Sequence, residues 1–135
     1  MPSTATFKCS LVTPNAKVLD EKIVYASIPA HDGQIGVEHL RAPMLVKLGY
    51  GQLRLDLADG SSEVYFIGGG FVQVKDDVLS IITDEATLAA DIRANEAERE
   101  LEALIAEEAK TGAEKEEYDK AVQRARARLA VAKGN

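Results

Sequence analysis

Gln52-Leu53-Arg54-Leu55-Asp56-Leu57 alternates polar and apolar residues without a break. A period of two puts the three leucines on one face and Gln52, Arg54 and Asp56 on the other, the pattern of a half-buried strand. Asp59-Gly60 follows, a pair that tolerates positive φ, and residues 63–67 resume as strand-forming sequence, so the segment predicts a hairpin. Working outward, residues 71–75 and 78–83 predict a second hairpin around Asp76-Asp77. Residues 7–13, 22–28, 34–37 and 44–48 are shorter strand candidates, separated by the turn chemistry of Pro14-Asn15, His31-Asp32-Gly33 and Ala42-Pro43. Many short strands with regularly spaced turns imply a sandwich or barrel. Gly68-Gly69-Gly70, between two strand-like runs, reads as a tight bend or bulge rather than a ligand loop.

The period changes near residue 85. From Ala86 onward there is no proline, and the chain is dominated by the strong helix formers Ala, Glu, Leu, Lys and Arg. Ala94, Ala97, Leu101, Leu104/Ile105 and Ala109 recur at steps of three and four, giving one apolar stripe. Tyr118, Ala121/Val122, Ala125, Leu129 and Ala132 give another. Lys110-Thr111-Gly112 supplies a basic helix end and a permissive turn residue, and Thr111 with Glu114 has the spacing of a capping box. The expectation is an α+β chain: an antiparallel β-sandwich over residues 1–85, then an antiparallel α-helical hairpin over residues 86–135, with helices of roughly 20 residues and about 30 Å. The stripes are rich in alanine, which maximises helix propensity but buries little area, so a hairpin able to undock at modest cost is one reading.

At 135 residues and 46% hydrophobic composition, the chain suffices for one domain with an appendage. Its net charge of −6 argues against nucleic acid as a partner, because phosphate neutralisation needs a surplus of Lys and Arg. Cys9, the lone cysteine, excludes an internal disulfide and reads as a buried structural thiol. No apolar run approaches the ~20 residues of a membrane span, so membrane association is expected to be indirect. Met1 to Ser10 lacks the features of a leader, which suggests a chain that works unprocessed in a reducing compartment.

Charge is polarised along the predicted hairpin. Residues 96–119 are strongly acidic, whereas Lys120, Arg124, Arg126, Arg128 and Lys133 follow with no acid between them. Lys120, Arg124 and Arg128, four apart, share one flank, and Arg126 falls near the other. A helix C-terminus attracts some basic residues through its dipole; the density here also fits an acidic partner surface. Enzymatic features are lacking: His31 and His39 stand in polar loops without metal-ligand spacing, and neither a Gly-x-Ser-x-Gly elbow nor a phosphate-cradling loop occurs. No cofactor or metal is expected.

Read in order, several segments resemble the ε subunit of bacterial F-type ATP synthase. They are Val12-Thr13-Pro14, the run from Ile28-Pro29-Ala30 through Gly33-Gln34-Ile35-Gly36-Val37, Ala42-Pro43-Met44-Leu45, and Phe66-Ile67-Gly68-Gly69-Gly70-Phe71-Val72-Gln73-Val74. Arg93-Ala94, and Arg124-Ala125 with Arg128-Leu129 and Val131-Ala132, resemble the family's first and last helical motifs. The match spans almost the whole chain.

The resemblance implies a ten-stranded sandwich with a helical hairpin, serving as a non-catalytic central-stalk subunit at the cytoplasmic face of the bacterial inner membrane. The sandwich would bind the γ subunit and sit on the membrane rotor (c) ring through Asp32, Gly33, Gln34, Glu38 and Arg41. The hairpin would extend along γ toward the catalytic β and α subunits and restrain ATP hydrolysis, with Lys120, Arg124, Arg126 and Arg128 as its contact. Two departures stand out. Arg41 stands where the family's Leu-Pro-x-His-x-Pro stretch has His. In the family's ATP-binding Ile/Leu-Asp-x-x-Arg-Ala motif, Ala89-Ala90 fill the first two positions and Asp91 comes one place late, about 100° around a helix. Asp91, Arg93, Ala94, Arg124 and Arg128 would then form only a degenerate ATP site. An unrelated β-sandwich adaptor, or a small-ligand-binding sandwich with a helical lid, are the rival readings.

Overall fold

Leu53, Leu55 and Leu57 are buried and Arg54 between them is exposed, so the alternation at residues 52–57 does face a core. The computed structural model describes residues 5–107 and 113–134. Seven strands form one continuous hydrogen-bonded sheet: β1 (Phe7–Val12), β2 (Lys17–Ala30), β3 (Gly33–Val37), β4 (Met44–Leu57), β5 (Ser62–Lys75), β6 (Val78–Ile82) and β7 (Ala86–Leu88). A 3-10 turn (Ala89–Asp91), α1 (Ala94–Ala106) and α2 (Ala113–Ala132) follow.

Several strands are longer than the sequence suggested. Residues 44–48 and 52–57 are one strand, as are 63–67 and 71–75, and β2 begins five residues before the predicted start at 22. β2, β4 and β5 each run 14 residues and bend, so each serves both layers. The second halves of β2 and β4 and the first half of β5 join β3 and β7 in one layer; their other halves join β1 and β6 in the second. Seven continuous strands with three used twice thus supply ten strand segments, the number implied by the resemblance.

The bend of β5 falls at Gly68-Gly69-Gly70, as read. Gly69 and Gly70 have φ of 83° and 116°. A Cβ on Gly70 would lie 2.1 Å from the Ile82 carbonyl oxygen, so no side chain fits while β6 passes that close. The turn between β5 and β6 is the expected two-residue loop, with Asp76 and Asp77 at φ 52° and 62°, the left-handed pair a type I′ hairpin needs.

Two corrections concern the boundary at residue 85. Ala86–Leu88 is a strand, paired antiparallel with Tyr65, Phe66 and Ile67, and α1 starts only at Ala94 and spans 13 residues. Backbone pairing with β5 overrides the helix propensity of Ala86 and Leu88. Of the first predicted stripe Ala97 is buried while Ile105 is exposed; on α2 Ala125 is buried, and so is Val131, which the stripe omitted. The Lys110-Thr111-Gly112 turn and the Thr111–Glu114 capping box lie outside the described residues.

The sandwich core packs Leu11, Ile23, Ile28, Leu53, Leu55 and Ile67 among others, with Cys9 buried among them and its thiol pushed up to about 12, chiefly by burial. A second, smaller core lies on the outer side of β5, where Phe66 meets Ile92, Ala97 and Val131. A Gly70→Ala substitution is expected to cost ~3 kcal/mol or more in urea unfolding, against ~1 kcal/mol for Gly60→Ala, where φ is 92° but nothing lies within 4 Å. Equal losses at the two positions would mean that close packing at the bend is not what Gly70 serves.

Candidate functional site

The seam between the sandwich and the hairpin holds the most organised polar constellation. Glu85 sits between β6 and β7 with its main chain fixed on both sides. Gly68 N–H donates to its carbonyl (2.9 Å), and Glu85 N–H donates to the Thr83 hydroxyl (3.3 Å). That hydroxyl in turn donates to the Gly69 carbonyl. Gly68 leaves room for the Glu85 side chain, since a Cβ there would lie 3.0 Å from Glu85 Cβ. The bend and the buried Thr83 thus aim one carboxylate at α2.

Arg124 meets it with a fork. Nε donates to Glu85 Oε1 (2.8 Å) and one terminal nitrogen to Oε2 (2.7 Å), while the other reaches Glu100 Oε1 on α1 (3.2 Å). Its guanidinium carbon lies 5.7 Å from the centre of the Phe66 ring, within cation–π range. Hydrogen bonding to Glu85 raises the Arg124 pKa above its already high value, so it stays charged at any working pH. Arg128 donates to Glu100 Oε2 at 3.5 Å, and its Nε is buried with no hydrogen-bond partner. One arginine therefore ties sandwich, α1 and α2 together. The Arg124 and Glu85 side chains are 34% and 29% exposed, which limits any single exposed-type pair to about 1 kcal/mol; the bidentate geometry and the shared Glu100 raise the sum.

The basic residues read as one contact set are thus divided. Arg124 and Arg128 turn inward to Glu85 and Glu100, whereas Lys120 and Arg126 are exposed. Of the degenerate ATP set, Asp91 is exposed in the 3-10 turn, Arg93 pairs with Glu96 (3.6 Å) and Ala94 opens α1. Arg124 and Arg128 come together, but around Glu100.

The five loop residues also divide. Asp32 and Gly33 lie at the start of β3, where Gly33 has φ 140°, and Gln34 Nε2 donates to Ser27 Oγ (2.8 Å) and the Gln52 carbonyl (3.3 Å). Glu38 and Arg41 follow the other end of the strand, and Arg41 donates to the Gly36 carbonyl (3.0 Å). The pattern reading missed Glu85, Glu100 and Phe66, since one acid between two strands, one acid in an acid-rich helix and one aromatic within a strand carry no local sign of the partner they meet. It also missed an apolar patch on the outer face of the second layer. Phe71 and Ile82, directly paired, are 55% and 62% exposed, and Leu45 on neighbouring β4 is 72% exposed. Phe71 beside inward Val72 was its one visible sign.

A β-sandwich with a helical hairpin clamped to it is the architecture of an ATP synthase central-stalk domain. Residues 6–89 match the family model of the ATP synthase delta/epsilon chain β-sandwich domain, a span that includes β7. The chain is 38% identical to the ATP synthase epsilon chain of Rhodopirellula baltica over 92% of this chain and 96% of that one. It is 36% identical to the sodium-ion-specific epsilon chain of Propionigenium modestum over 73% and 71%. A chain of the Euglena gracilis mitochondrial ATP synthase superposes with a TM-score of 0.84 at 23% identity, covering 96% of this chain and 82% of that one. The chain belongs to the ATP synthase delta/epsilon family, among its epsilon chains. That membership sets aside the unrelated-adaptor and ligand-lid readings.

A double-mutant cycle tests the clamp. Glu85→Ala and Arg124→Ala should each speed amide exchange across α1 and α2 by roughly fivefold or more, leaving β4 and β5 protected, with a coupling of about 1–2 kcal/mol between them. Simple additivity would show that the pair does not hold the hairpin.

Proposed function

We propose that this chain is a non-catalytic central-stalk subunit of a rotary ATP synthase, which transmits rotation through its sandwich and restrains ATP hydrolysis through its hairpin. The observation that carries the reading is the clamp itself: α1 and α2 rest on the sandwich through a thin apolar seam and a solvent-accessible arginine, which is how a two-state element is held. The exposed patch of Leu45, Phe71 and Ile82 suits γ, since an apolar face of this kind on a soluble domain marks a partner surface. The loops at the two ends of β3 would rest on the rotor ring. The matched Euglena structure contains F1 and a c-ring, and a second neighbour, from Tetrahymena thermophila, is described as central stalk and c-ring; both support these partners. No helix among the described residues is long and apolar enough to cross a membrane, which fits peripheral attachment at the cytoplasmic face of the bacterial inner membrane.

In this reading the hairpin leaves the sandwich, and its basic flank meets acidic surface on the catalytic β and α subunits. Arg124 and Arg128 then exchange Glu85 and Glu100 for partner acids, while Lys120 and Arg126 act only in the extended state. Glu85→Ala frees the hairpin without removing a basic residue, so it should lower the ATPase rate of the assembled complex severalfold. Lys120→Ala with Arg126→Ala should raise it without disturbing docking of the hairpin. If Glu85→Ala, the Lys120/Arg126 double substitution and deletion of residues 93–135 all leave the rate unchanged, the subunit couples rotation and regulates nothing.

The same pairing bears on ATP as a regulatory ligand. Phosphates would have to displace Glu85 and Glu100 from Arg124, with Ala90 where the family motif has Asp. Calorimetry on the isolated chain should show no saturable binding at millimolar ATP; saturation at micromolar ATP would overturn this part of the reading.

A further inference from the structure

The loop after β3 contains a backbone conformation that its residue does not favour. Arg41 N–H bonds to the Glu38 carbonyl (3.2 Å), closing a four-residue turn, and its third residue, Leu40, has φ 63°. With His39 at negative φ before it, this is the pattern of a type II turn, whose third position ordinarily takes Gly or Asn. Leu rarely enters the left-handed region, and here its side chain is 75% exposed, so no packing of its own holds it there.

What grips it lies 37 residues away. Asp77, at the β5–β6 turn, accepts the Leu40 N–H on Oδ1 (2.8 Å) and faces His39 Nδ1 with Oδ2 (2.7 Å). His39 can donate there either as the cation or as its Nδ1–H tautomer. Asp77 is a firm anchor: it belongs to a two-residue hairpin loop, and its carbonyl accepts Lys8 N–H of β1 at 3.4 Å. A charged acceptor on two adjacent groups of one turn strongly favours that turn over alternatives.

We infer that Asp77 is the positioning residue of the 38–41 loop: its carboxylate holds Leu40 in the left-handed conformation and so sets how Glu38, Leu40 and Arg41 are presented to a partner. That the partner is the rotor ring rests on the function proposed above.

Single-residue amide exchange on the full chain tests the positioning. Asp77→Gly keeps the turn conformation at 77 and removes both acceptor oxygens, so the Leu40 amide should exchange about tenfold faster while Val72 and Leu79 are unchanged. Asp77→Asn tolerates the same backbone and retains Oδ1, so it should restore most of the protection. Unchanged exchange at Leu40 in Asp77→Gly overturns the proposal. So does faster exchange throughout β5 and β6 with no rescue by Asn, the mark of a merely structural aspartate. Binding of the γ-bound subunit to purified rotor ring supplies the second arm. Asp77→Gly should weaken it severalfold and Asp77→Asn should restore it, while Leu40→Asp probes the ring reading by itself. If Leu40→Asp binds the ring like the unaltered chain, the ring reading fails and the exchange data alone decide the role of Asp77. If Leu40→Asp abolishes binding but Asp77→Gly does not weaken it, the loop docks without needing Asp77 and the proposal is overturned.

Discussion

Strand β5 is buried on both faces at Tyr65, Phe66 and Ile67, and the rest of the molecule is arranged around that fact. Tyr65 and Ile67 point into the sandwich, while Phe66 points out and would lie bare without the helices. Burying one aromatic side chain contributes about 2–3 kcal/mol, a large share of what a thin, alanine-rich hairpin can gain by docking. The same strand bends a few residues later, and its glycines let β6 and Glu85 approach closely enough for Arg124 to be gripped. Apolar and ionic holds on the hairpin therefore start from one stretch of chain.

The balance between those holds suits a switch. A leucine-rich seam would fix the helices permanently, whereas Ala97, Val131 and Ile92 around one phenylalanine leave a modest dry contact. The ion pairs add orientation more than energy, because Arg124 keeps access to water and its partners are partly screened. Arg128 is the exception, since its buried Nε has no partner and costs the docked state some free energy. A docked form that is held but not satisfied everywhere is what the proposed two-state hairpin would require.

The remaining surface is divided without overlap. The outer face of the second layer carries Leu45, Phe71 and Ile82, the seam belongs to the hairpin, and the two ends of β3 carry the turns at residues 32–34 and 38–41. At the last of these the Asp77 carboxylate, 37 residues away, accepts the N–H of Leu40, which occupies a conformation that glycine would adopt without cost.

The sandwich was legible in the sequence wherever one face of a strand is wet, as at Leu53, Leu55 and Leu57, because a period of two records which side meets water. The Asp76-Asp77 hairpin and the glycine bend were legible for a related reason: left-handed backbone restricts residue choice locally. Family membership followed from the order of such segments. What the sequence could not show is everything that depends on a second element arriving. Ala86–Leu88 reads as helix and becomes a strand because β5 offers it a ladder. Phe66 reads as one more sandwich residue and becomes the floor of the hairpin. Arg124 and Arg128 read as a basic flank for a partner, yet the fold turns them inward to Glu85 and Glu100, 39 and 28 residues distant. Periodicity and turn chemistry are local properties, and so residue order alone specified a sandwich and its tight turns. The pairing of charges across a seam depends on distances that exist only once the chain has folded, so it belongs to the three-dimensional arrangement alone.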